Sequence, residues 1–177
     1  VTNQAPAAIS FEDSFVEVKT RAAADPSITT ATIDAFDVWG FMDDPNGLMF
    51  DAQRVTKGET GWTYNPLQFW LQDHNYFFYA VAPVDNADIV VNKDLNIEGL
   101  GTIDFTNTNG SVDLLYAEKK ESTYNEDVNA DGHETVKLTF AHLLSKVKFT
   151  FTNGFPEGTS SLKIENIKIS QAPSTGT

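Results

Sequence analysis

The sequence predicts an all-β chain, a β-sandwich or barrel, and three observations carry that expectation. Apolar residues alternate with polar ones and do not recur at three and four, which is the periodicity of strands. Thr, Val, Ile, Phe, Tyr and Asn dominate, the residues that suit a pleated surface and its turns. Clusters such as "DDPNG", "KGETG", "NTNGS", "NADG" and "TNGFPEG" punctuate the chain with Gly, Asn, Asp or Pro where a turn needs a positive or fixed φ. Many short strands at such spacing close into a sandwich or barrel.

In chain order, strands are expected at residues 15–20, 32–41, 48–57, 62–64, 76–82, 89–91, 101–106, 112–117, 135–140, 147–152 and 162–170. The first carries Phe15, Val16 and Val18 and ends at the basic pair Lys19 and Arg21. Residues 76–82 alternate through Phe77, Tyr79 and Val81, as one face of a sandwich core requires. The plainest pattern is "VKFTF", with Val147, Phe149 and Phe151 on one face and Lys146, Lys148 and Thr150 on the other. Upstream, "VKLTF" turns Val136, Leu138 and Phe140 inward. Phe140 and Val147 are an odd number of positions apart, so the phase breaks within "AHLLS", and a bulge or single helical turn is expected at 142–145. Residues 118–134 are polar and read as a long loop. No internal repeat is evident.

The 177 residues suffice for one domain with a sizeable core, and 41% are hydrophobic. Twenty-five Asp and Glu against 12 Lys and Arg give a net charge of −13, which argues against nucleic acid and anionic membrane surfaces as partners. The chain has no cysteine, which excludes disulfides, thiolate metal sites and a cysteine nucleophile within it. No 18-residue apolar run and no signal-like segment is present.

Nothing points to catalysis. His74, His133 and His142 are far apart and belong to no metalloprotease pattern, no Gly-x-Ser-x-Gly elbow occurs, and phosphate-binding glycine patterns are missing. "DVNADG" places Asp127, Asn129, Asp131 and Gly132 at calcium-loop spacing. The twelfth position is Leu138 where a bidentate Glu is needed, so a tight hairpin turn is the better reading and no cofactor is expected. Any calcium there would need Glu126 or Glu134 and would be weak. Residues 62–79 hold eight aromatics. Most belong to a core, with Trp62, Tyr64 and Trp70 the candidates for a glycan-stacking surface. "KTRA" precedes the small residues "AAADPS", an arrangement open to a protease. Spacing alone favours a linker there. The second of the chain's two arginines, Arg54, falls inside an expected strand and should be protected.

"KTRA", "IDAFDVWGF", "GWTYNPLQFW", "YFFYAVAP", "VDLLYA", "KLTFAHLLSKVKFTFTN" and "LKIENIKIS", in that order over residues 11–171, resemble the fimbrillin-like family of Bacteroidales, the type V pilus subunits and related surface adhesins. The resemblance implies a transthyretin-like, two-sheet Greek-key sandwich on the outer cell surface. It implies an Arg-specific cut between Arg21 and Ala22 that removes a leader strand marked by Phe15, Val16 and Val18. A strand of another subunit then fills the groove, so the implied partners are other pilus subunits, with surface receptors or glycans beyond them. The family's lipidated cysteine is absent, which puts a lipid anchor outside this sequence. The implied organisation is a leader and processing linker at 1–21, a sandwich at 22–170, and at 171–177 a linker to a C-terminal domain. A secreted glycan-binding module, calcium-stabilised at Asp127–Asp131, is the alternative.

Overall fold

The structure, a computed structural model, describes residues 7–12, 15–16, 33–43, 47–71, 74–96, 98–106, 112–121, 135–144, 152, 154, 163–165 and 175–177. Among them are twelve strands and no helix. The strands are β1 (Ser10–Phe11), β2 (Phe15–Val16), β3 (Ala35–Met42), β4 (Leu48–Gly58), β5 (Gly61–Thr63), β6 (Tyr76–Ala82), β7 (Ile89–Asn96), β8 (Gly99–Thr106), β9 (Leu115–Glu121), β10 (Thr135–Val136), β11 (Thr139–His142) and β12 (Thr175–Gly176). Seven of them make one sheet in the order β2-β11-β9-β6-β3-β4-β5. A second sheet has the order β12-β8-β7, and β1 pairs with β10.

The large sheet is covered on both faces, which follows from its sequence. In β3 and β6 apolar residues occupy both parities, so each strand has two apolar sides to bury. On one face Phe36, Val38, Phe50, Val55, Tyr76, Phe78 and Phe140 meet Ile9, Phe11 and Trp70. On the other, Trp39, Tyr79 and Val81 meet Leu100 and Phe105 of the β7–β8 hairpin. Phe41 and Phe77, paired across β3 and β6, stack on this second side with centroids 5.0 Å apart. The expected core of Phe77, Tyr79 and Val81 is therefore half of the truth, since Tyr76, Phe78 and Ala80 pack on the opposite side.

Several boundaries differ from expectation. β7 runs to Asn96, not Val91, because the polar residues 92–96 still pair with β8. β9 begins at Leu115 and pairs along the whole of β6, its polar residues Glu118–Glu121 lying opposite Tyr76–Tyr79, where a loop is expected from composition. The strand expected at 135–140 is split into β10 and β11 because its partner changes, from β1 to β2 and β9. Val136, Leu138 and Phe140 are nonetheless all buried, as their parity requires. β11 continues through His142, the first residue of the expected corner. Of the strand expected at 162–170, the described residues 163–165 are exposed and not in a strand. Most of 147–152 lies outside the described residues.

Candidate functional site

Residues 7–12 are inserted into the molecule with neighbours on both edges: Ala8 bridges Phe69, and β1 lies beside β10. Ile9-Ser10-Phe11 alternates apolar and polar, so in extended backbone Ile9 and Phe11 point to the same side. Both reach the core, at 1% and 5% exposure. The Phe11 ring meets Phe36, Phe50, Tyr64 and Phe78 edge-on, with centroids 5.7, 5.8, 5.7 and 6.2 Å away. Edge-to-face packing of this kind favours aromatic over aliphatic occupants.

Backbone hydrogen bonds fix the segment's direction. The Ile9 N–H donates to the Gln68 carbonyl at 2.8 Å, and the Trp70 N–H donates to the Ala7 carbonyl at 2.9 Å, around an antiparallel bridge between Ala8 and Phe69. Along the other edge β1 runs parallel to β10, and the Glu12 N–H donates to the Val136 carbonyl at 3.1 Å. The Tyr64 hydroxyl donates to the Ile9 carbonyl at 2.6 Å and accepts from the Gln68 N–H at 3.2 Å. Each backbone bond contributes ~0.5–1.5 kcal/mol net, and each buried side chain ~1.5–3 kcal/mol. The total is comparable to the ~5–15 kcal/mol that holds a domain together.

Tyr64 is thus the side chain that ties residues 64–68 to the N-terminal segment. Tyr64→Phe is expected to lower stability by about 1 kcal/mol in urea titration with an unchanged m-value. Burial raises its phenol above the usual value, with the Gln68 bond opposing. A folded-state value above the unfolded one means stability that is present below about pH 10 and lost as pH rises through the folded value.

The aromatic candidates do not form a stacking platform. Trp70 is 3% exposed and packs edge-on against Tyr76 and Phe78, so neither of its faces is offered to a sugar ring. Its backbone N–H donates to the Ala7 carbonyl, and its ring lies on the core side of a segment whose neighbour Phe69 is exposed. Trp62 is half-buried against Phe36, with the Lys57 ammonium 5.7 Å from its ring centroid. Tyr64 is half-buried and committed to Ile9. The shallow depression beside it is lined by Gln53, Arg54, Thr56, Thr63, Tyr64 and Asn65.

The cation of that depression is already engaged. Arg54 lies opposite Asp37 in the β3–β4 register, and its Nε donates to Asp37 at 2.6 Å. Its two terminal nitrogens donate to the Asp85 carboxylate at 2.8 and 2.9 Å, a bidentate pair. The Arg54 bonds hold the Asp85 carboxyl below its usual value. A depressed carboxyl stabilises the fold above the unfolded value and loses that contribution as pH falls through the folded one. Asp85→Asn is therefore expected to flatten the acid limb of the stability–pH curve below about pH 4 and to leave the neutral limb shallow, as denaturant midpoints across pH would show.

The other sequence-level candidates divide in two. Phe15 and Val16 form β2, parallel to β11 at the sheet edge, with Phe15 opposite Thr139 and Val16 opposite Phe140. Val18, Arg21, Ala22, Asp127, Asn129 and Asp131 lie outside the described residues. Among the described residues no group of three His, Asp or Glu is placed to hold a metal ion. Ile9 and Phe11 are the buried residues of the N-terminal segment that sequence reasoning misses. Their signal was a single apolar–polar–apolar triplet, too short to stand out beside the longer strands.

A family model described as fimbrillin-like matches residues 20–177. No curated protein and no solved structure matches the chain significantly. Among the described residues no helix is long and apolar enough to cross a membrane.

Proposed function

Since the chain belongs to the fimbrillin-like family, whose members are structural subunits of cell-surface fimbriae and not enzymes, we propose that it is a fimbrial subunit whose N-terminal segment is a removable strand. Cleavage between Arg21 and Ala22 frees that segment, and a strand from another subunit takes its seat. The fold this reading implies is a transthyretin-like Greek-key sandwich.

One observation carries the proposal: Ile9 and Phe11, both upstream of Arg21, fill the core as a strand bonded along both edges. A segment so placed is held by main-chain ladders that any strand can reproduce, which is the physics of strand addition. Its loss would leave apolar side chains and unpaired backbone exposed, so the gap demands a replacement.

Brief digestion of the folded chain with an Arg-specific protease, followed by intact mass, tests the reading. The expected product is a single cut after Arg21 with Arg54 spared, because Arg54 is held in a sheet and its guanidinium is clamped by two carboxylates. A labelled peptide of residues 1–21 should then exchange with the released segment. Resistance at Arg21, or cutting without exchange, overturns the proposal and leaves "KTRA" a linker.

A further inference from the structure

The seat does more than accept a strand. We infer that it selects one by an aliphatic–x–aromatic pair read in a single direction: an incoming segment of another subunit must carry a large aliphatic side chain at the Ile9 position and an aromatic ring at the Phe11 position. It must run parallel to β10 and antiparallel to residues 68–70. This rests on the removable-strand reading above and identifies the partner segment by its chemistry.

The two positions make different demands. At the Phe11 position four rings, those of Phe36, Phe50, Tyr64 and Phe78, approach edge-on and surround the occupant. A T-shaped approach puts the positive rim of one ring on the negative face of another, and an aliphatic side chain cannot reproduce it. Phe11 is also large enough to reach rings on β3, β4 and β6 at once, so a smaller group leaves a void among side chains that are themselves fixed in strands. The Ile9 position is 1% exposed and belongs to the same apolar cluster, so it takes a fully buried side chain of isoleucine's size and branching.

Direction is read by groups that ignore the side chains. Tyr64 donates to the carbonyl of position 9, while Gln68 accepts from the N–H of that same residue. Trp70 donates to the carbonyl of position 7, and Val136 accepts from the N–H of position 12. A strand entered backwards loses the parallel ladder with β10 and offers these groups in a different spacing. Ser10 between the two anchors faces Thr135 in that ladder and sets no apolar requirement.

A competition experiment on the whole cleaved chain tests this, with a labelled copy of residues 1–21 in the seat and unlabelled peptides added in excess. The native 1–21 peptide should displace the label. Its Phe11→Leu form should do so about tenfold less well, and its Phe11→Ala form about a hundredfold less well. A peptide with Ile9 and Phe11 exchanged should compete no better than Phe11→Ala, and a reversed sequence should not compete. A short peptide "GTIDFTNT", unrelated to the leader except for its Ile-x-Phe, should compete measurably. Equal competition by the native, exchanged and reversed peptides overturns the inference while leaving strand exchange intact. Failure of every peptide, the native one included, overturns the removable-strand reading and this inference with it.

Discussion

Phe11→Ala is expected to lower the stability of the intact chain by about 3–5 kcal/mol, the range for emptying a buried phenylalanine site. The ring is surrounded by Phe36, Phe50, Tyr64 and Phe78, and three of these are themselves anchored in strands. They cannot move inward without breaking their own register, so the void stays largely open and the cost sits near the top of the range. Phe69→Ala supplies the contrast. Phe69 lies on the neighbouring segment and bridges Ala8, but its side chain is 44% exposed, so its removal should cost under about 1 kcal/mol. Urea titration of the two variants reads the difference directly. Similar losses for both would mean that the N-terminal segment is not part of the core.

Gly101→Ala should be comparably damaging for an unrelated reason. Gly101 has φ +120°, a backbone state that side chains rarely adopt, and it sits opposite Lys93 where the β7–β8 ladder shifts register. A Cβ there would overlap the Asn92 carbonyl oxygen and come within 2.5 Å of the Asp94 amide nitrogen. Both obstacles are backbone, so neither can rotate away. Strain of about 1–3 kcal/mol from the dihedral adds to a similar cost for displacing the strand. Gly61→Ala separates the two contributions. Gly61 has φ +127° at the start of β5, but nothing lies within 4 Å of its added Cβ, so only the dihedral part is lost. Equal destabilisation of the two variants in urea would show that the crowding at Gly101 is relieved cheaply.

How much of this could be read in advance depends on how far apart in sequence the deciding partners lie. The all-β class, most strand positions and the inward parity of Val136, Leu138 and Phe140 are local properties, written as alternation and turn residues. The place of Arg54 in a strand was legible, although its two carboxylate partners were not. What the sequence hid was long-range. Glu118–Glu121 looks like loop by composition and is a strand because β6 offers it a full edge. Trp70 looks available for a ligand and is buried, its backbone bonded to Ala7, over sixty residues upstream. The leader's apolar residues legible in sequence are Phe15, Val16 and Val18; Ile9 and Phe11, in a shorter alternation, are buried in the core.

The large sheet divides the apolar interior into two compartments, and the N-terminal segment belongs to one of them. Ile9 and Phe11 touch the side built on Phe36, Phe50 and Phe78, whereas Trp39, Tyr79, Leu100 and Phe105 lie behind the sheet, under the β7–β8 hairpin. Vacating the seat therefore wets one compartment and leaves the other dry. Amide exchange in the chain cut after Arg21 and freed of residues 1–21 should quicken in β10 and residues 68–70 while β7 and β8 stay slow. Removal of the N-terminal segment would leave a half-closed body, with its far side already finished.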